Sequence, residues 1–182
     1  MRAEMSERSN VLVSKTGEVN ASASSNLALC ANINKGNQMK IFLGGAVSVA
    51  TQEQLEKYNI YKEVLTTFGE LTVPDDIWAY RQKCTHENPE KTKMQIDKMM
   101  VDYDLNLARN TDLMICDISQ QSTGLGLELG VVHENSKKII FFYEKGAYIS
   151  NMLTGAFFDA DFVEYESTKE LRQKLKFVME NN

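Results

Sequence analysis

From residue 39 onward the hydrophobic positions change period in a regular way. "MKIFLGGA", opened by Met39, is a continuous apolar run stopped by glycines, which reads as a buried strand. "TQEQLEKYNIYKEVLTTFG" places Leu55, Tyr58, Tyr61, Val64, Leu65 and Phe68 near helical spacing, with Gly69 as a stop. "ELTVP" reads as a short strand, and residues 74–92 as a long loop carrying the single tryptophan, Trp78. Residues 93–109 return to helical spacing, with Ile96, Met99, Met100, Tyr103 and Leu107 on one face. "DLMICDIS" is a strand, after which a glycine-rich turn leads into "LELGVVHEN". "KKIIFFYE" is a fully apolar strand, "AYISNMLTGAF" a short helix, "DFVEYE" a strand and "TKELRQKLKFVMEN" a closing amphipathic helix.

Strands that alternate with helices and are apolar throughout predict an α/β fold: a doubly wound, Rossmann-like parallel sheet of five strands with helices on both faces. Ligands of such sheets sit at the carboxyl ends of the strands. The loops after Leu43, Ile118 and Tyr143 therefore converge on one crevice. Residues 1–38 are rich in Ser, Asn and Ala with no sustained period, and read as a mobile polar tail. The catalytic domain is then 39–182, an ordinary size for one domain, and Met39 is a candidate initiator.

Charge narrows the partners. Among 182 residues the net charge is −5, which argues against a nucleic-acid polymer or an anionic membrane, though not against a small anion. No apolar run approaches the ~20 residues of a membrane span, and the start lacks the pattern of a signal peptide. The three cysteines, Cys30, Cys84 and Cys116, form no C-x-x-C pair, which suits reduced thiols in a cytoplasmic protein. Cys84-x-His86 is too little for a metal site, so no metal is expected.

The chemistry concentrates in "STGLGLELG", residues 122–130, where Gly124, Gly126 and Gly130 surround one carboxylate, Glu128. A dinucleotide fingerprint is one reading, with Glu144 twenty residues on as the ribose acid. It fits poorly, because Leu129 holds the third-glycine place and the loop follows an internal strand. A second reading makes Glu128 a helix-capping acid. A third makes it a nucleophile toward an anomeric carbon, kept ionised by a helix N-terminus, with glycines admitting a sugar. That chemistry needs a second acid to protonate the leaving group. Of Asp97, Asp102 and Asp104 on the preceding helix, Asp104 borders the core-facing stripe and Asp102 faces outward. Asp104 also lies toward the C-terminal end of its helix, which disfavours the anion and raises its pKa.

"IFLGG", "DYDLNLARNTDLMICDISQQSTGLGLELG" and "YISNMLTG" together resemble the nucleoside 2-deoxyribosyltransferase family, most closely its branch of 2′-deoxynucleoside 5′-phosphate N-hydrolases, over Met39 to Glu166. The resemblance implies a flavodoxin-like domain in a homodimer or higher homo-oligomer with shared sites. It implies cleavage of the N-glycosidic bond of 2′-deoxynucleosides or their 5′-monophosphates, without cofactor, through a covalent 2-deoxyribosyl-glutamate. The sugar then passes to water or to another base. By position, Glu128 becomes the nucleophile and Asp104 the partner acid. Ser122 matches a serine that reads the 5′-phosphate. Ser150 and Met152 fall in a segment lent by a neighbouring subunit. Gly44, Gly45, Gly124 and Gly126 leave room beside the ligand. Trp78 is a candidate for stacking on the base, and Tyr148 for the subunit boundary. A tyrosine of the hydrolases' first strand and a serine and arginine of their turn fall here at Ile41, Gly45 and Val47, and a later arginine at Thr154. Alternatives are a transferase restricted to free nucleosides and a non-catalytic nucleotide-sensing domain.

Overall fold

The structure is a computed structural model and describes residues 38–46 and 51–181. The tail expected over 1–38 falls almost wholly outside these, as do Cys30 and Val47. Five strands are described: β1 (Lys40–Gly45), β2 (Glu70–Thr72), β3 (Leu113–Asp117), β4 (Lys138–Glu144) and β5 (Asp161–Tyr165). Between and after them run α1 (Gln52–Leu65), α2 (Pro74–Glu87), α3 (Lys93–Asn110), α4 (Thr123–Glu134), α5 (Asn151–Ala156) and α6 (Thr168–Asn181). Every strand pair is parallel, in the order β2-β1-β3-β4-β5. That is the doubly wound flavodoxin-like order, as the alternation of elements predicts.

The strands split their side chains between two cores. Ile41, Leu43, Leu113, Ile115, Ile140 and Phe142 pack with Tyr58, Tyr61, Val64 and Leu65 of α1 and Leu171 and Leu175 of α6. The alternate residues Phe42, Met114, Cys116, Ile139 and Phe141 pack with Ala108 of α3, Leu125, Leu129 and Val132 of α4, and Phe157. A period of two that is apolar on both faces is what a strand covered by helices requires. Cys84 and Cys116 are buried free thiols. No helix among the described residues is long and apolar enough to cross a membrane.

Residues 74–87 form α2 rather than a loop. Pro74 takes the first helical position, where a missing N–H costs nothing. Asp76 accepts from the Val73 N–H at 3.0 Å and closes the start. The helix buries only Ile77 and Cys84, and it packs on α3 through Tyr80 stacked on Tyr103 at 3.9 Å. Leu55, expected on the core stripe of α1, is exposed. Asp112 has a structural duty, since its carboxylate accepts from the Lys40 N–H at 2.8 Å where β1 begins.

Candidate active site

Ser122 is the N-cap of α4, with its Oγ accepting from Leu125 N–H at 3.3 Å. The glycines 124, 126 and 130 therefore lie inside the helix and not in a turn before it. This removes two readings of the stretch. A phosphate-cradling loop needs glycines ahead of the helix, and Glu128, the sixth residue of α4, is too far along to cap it. Glu144, the acid a dinucleotide would use, is paired with Lys57.

Glu128 and Asp104 are brought together, both half-buried, from α4 and α3. Burial first, then the charge of Asp104 and a hydrogen bond with it, push the Glu128 carboxyl up to about 8. Burial likewise raises Asp104. The sequence expectation that a helix N-terminus holds Glu128 ionised is thus overturned. The dipole fades within the first turn, and desolvation with a like charge dominates at the sixth residue. Asp104 does move in the expected direction, but through burial, since it stands six residues short of the helix end. Two such carboxyls titrate as a pair, and each favours its protonated form more than it would in water.

The other aspartates of α3 are occupied. Asp97 pairs with Arg81 and Lys93, and Asp102, facing solvent as expected, pairs with Lys98. Neither Asp104 nor Glu128 has an ion pair among the described residues, and Asp104 Oδ1 has no hydrogen-bond partner.

Several of the remaining predicted residues line one of two openings, neither of which is lined by Glu128 or Asp104. A groove of about 600 Å³ runs along α4 and is lined by Ser122, Gly126, Tyr148, Ser150 and Met152. Ser122 and Ser150 thus meet within a single chain. A smaller cavity, about 50 Å³, sits over the carboxyl ends of β1, β3 and β4, where Gly45, Asp117 and Glu144 line it with Tyr58 and Ser119. Gly44 is buried and provides no room for a ligand. A Cβ there would meet Leu125 Cδ1 and Met114 Cε, each at 2.8 Å, so this glycine lets α4 lie against β1. Gly124 is exposed on α4. Trp78 stands on α2 with the Arg81 guanidinium 6.0 Å from its ring, and it lines neither opening.

Three polar residues escape the sequence reading. Asp117 Oδ2 accepts from Tyr61 at 2.9 Å and Tyr165 at 2.8 Å, and its Oδ1 from the Ser119 N–H at 2.9 Å. Lys57 is buried and ion-paired with Glu53 and Glu144. Tyr58 counts in the sequence only as a core residue. The one signal for these groups was their position, since they end or face the strands that open on the crevice.

No family model matches the chain, and no curated protein does. Solved structures do resemble it. A CMP N-glycosidase, BcmB, from Clostridium botulinum shares 20% identity over 76% of this chain and 98% of its own, with a TM-score of 0.50. A conserved protein from Enterococcus faecalis V583 shares 15% over 78% and 99%, at 0.52. A 2-deoxyribosyltransferase from the psychrotolerant bacterium Bacillus psychrosaccharolyticus shares 18% over 75% and 95%, at 0.52. At these identities the likeness establishes the fold.

Proposed function

We propose that the protein cleaves the N-glycosidic bond of 2′-deoxynucleosides or their 5′-monophosphates by double displacement. The observation that carries this is the Glu128–Asp104 pair: two half-buried carboxyls, side by side, that have no counter-cation among the described residues and are both raised by burial. Glycosidic cleavage needs one carboxylate to attack and one acid to give a proton, and a pair sharing one proton supplies both. In the reactive form the pair's proton has passed from Glu128 to Asp104: Glu128 then attacks C1′ as the carboxylate, its C–O bond forms as the C1′–N bond breaks, and the proton on Asp104 goes to the departing base. Water or an incoming base then attacks C1′, its proton passes to Asp104, and Glu128 leaves as the carboxylate. No step calls for a metal or an organic cofactor. That an N-glycosidase and a 2-deoxyribosyltransferase share the fold supports the same reading.

Ser122 reads the 5′ end. Its Oγ accepts from Leu125 and keeps its own hydrogen free to donate to a phosphate or a 5′-oxygen. At the groove, Tyr148 at 70% and Met152 at 83% are exposed apolar side chains that a second copy of the chain would cover. In such a dimer the segment with Ser150 and Met152, which lines the groove of its own chain, is also presented to the neighbouring subunit's site.

The test is release of free base from deoxynucleosides and deoxynucleoside monophosphates, with and without an acceptor base. Glu128→Ala is expected to lose about 10³-fold or more, and Asp104→Asn about 10²–10⁴-fold, while Asp102→Asn stays near wild type. Transfer without hydrolysis, on nucleosides only, would select the transferase. Near-normal turnover of folded Glu128→Ala would sink the mechanism, and binding without release would leave a sensing domain.

A further inference from the structure

Two buried side-chain polar atoms among the described residues have no hydrogen-bond partner, Asp104 Oδ1 and Tyr58 Oη. The first belongs to the pair above. The second has no part in that chemistry, yet an unpaired buried hydroxyl is a standing cost to the folded state. Its neighbours on α1 are all engaged. Lys57 pairs with Glu53 and Glu144, and Tyr61 gives its hydroxyl to Asp117. Tyr58 is 9% exposed and lines the small cavity at the ends of β1, β3 and β4.

The cavity selects its occupant. About 50 Å³ admits one functional group and not a ring. Its charged lining is two carboxylates, Asp117 and Glu144, against the ammonium of Lys57, which disfavours an anion. Burial and the charges of Asp75, Glu128 and Asp76 keep the phenol protonated, hence a donor. An alcohol is small enough for this space and can both accept from a phenol and donate to a carboxylate.

We propose that Tyr58 donates a hydrogen bond to the 3′-hydroxyl of the bound deoxyribose, which enters this cavity while Glu128 faces C1′. This rests on the glycosidic reading of the site. With a base on C1′, a 2-deoxyribosyl group carries exocyclic oxygen only at its 3′ and 5′ carbons. Ser122 takes the 5′ side from the groove along α4, among the residues of the second core. The cavity holding Tyr58 and Tyr61 opens on the first core, the opposite face of the sheet, and is left for the 3′ side.

The experiment compares kcat/KM for a 2′-deoxynucleoside 5′-monophosphate and its 2′,3′-dideoxy counterpart, in wild type and Tyr58→Phe. Wild type is expected to favour the 3′-hydroxyl about tenfold, and Tyr58→Phe to lose about that factor on the deoxy substrate only. Its melting temperature should not fall, because the hydroxyl removed has no partner to lose. Equal losses on both substrates, or a clearly lower melting temperature, would show a structural hydroxyl and overturn the proposal. So would a wild type indifferent to the 3′-hydroxyl, a result that needs no variant. Cleavage of neither substrate by wild type would fail the glycosidic reading and this inference together. Retained 3′ discrimination in a still-active Glu128→Ala protein would fail the nucleophile assignment alone.

Discussion

At the scale of single residues, the Glu128–Asp104 pair trades stability for chemistry. Glu128 binds its proton more tightly in the folded protein than in the unfolded chain, at about 8 against an ordinary 4.5. That preference favours folding fully below about 4.5, where both states are protonated, and it is lost as the pH rises through about 8. Glu128→Gln keeps the shape without the titration. Its melting temperature is expected to match wild type near pH 4 and to exceed it increasingly up to pH 8, by on the order of 5 °C. A gain that shrinks with pH would contradict the raised pKa. The sequence showed which two acids meet but not their protonation. Spacing reports the face of a helix on which a carboxyl lies, while its pKa depends on how much water the neighbouring helix removes.

At the scale of elements, the decisive position is the N-cap of α4, Ser122. Ser122→Ala removes the cap and is expected to cost about 1 kcal/mol, read as a lower melting temperature. Ser122→Asp keeps a good cap, with charge favourable to the helix N-terminus, so the fold should hold. Its carboxylate would repel a 5′-phosphate. The ratio of kcat/KM for a deoxynucleotide over its deoxynucleoside should fall roughly 10- to 100-fold. An unchanged ratio would mean that Ser122 does not face the 5′ end. Strands β1, β3 and β4 are legible in the sequence because each is apolar on both faces over several residues, whereas β2 and β5 carry exposed Glu70, Asp161 and Glu164 and are read from their place in the alternation of elements. Helix α2 is not legible. It buries two residues in fourteen and starts on Pro-Asp-Asp, a sequence that serves a turn as readily as a helix. Gly124 and Gly126 mislead in the same way, since glycine marks a turn by composition and Ser122 overrides it with a cap.

At the scale of the whole molecule, the proposed dimer would cover the apolar rim of the groove with a second copy. Shared sites can be tested by mixing two inactive proteins, Glu128→Ala and a variant with Met152→Asp and Ser150→Asp. A mixed dimer has one site with its own Glu128 and an intact lent segment, so mixing is expected to restore measurable base release. Additive inactivity in a mixture proven to exchange subunits would confine each site to one chain.

The strand order has a consequence for how the chain is made. β1 lies between β2, three residues long, and β3, whose Leu113 pairs with Ile41. At ribosomal speeds of roughly 5–20 residues per second, β3 follows β1 out of the ribosome by about 4–14 s. Through that interval the Ile41–Leu43 run has only the short β2 to pair with, and its second face still lacks α4, which follows β3 in the chain. The nascent chain therefore presents an unpaired strand edge for seconds, and the sheet completes only when the second half arrives.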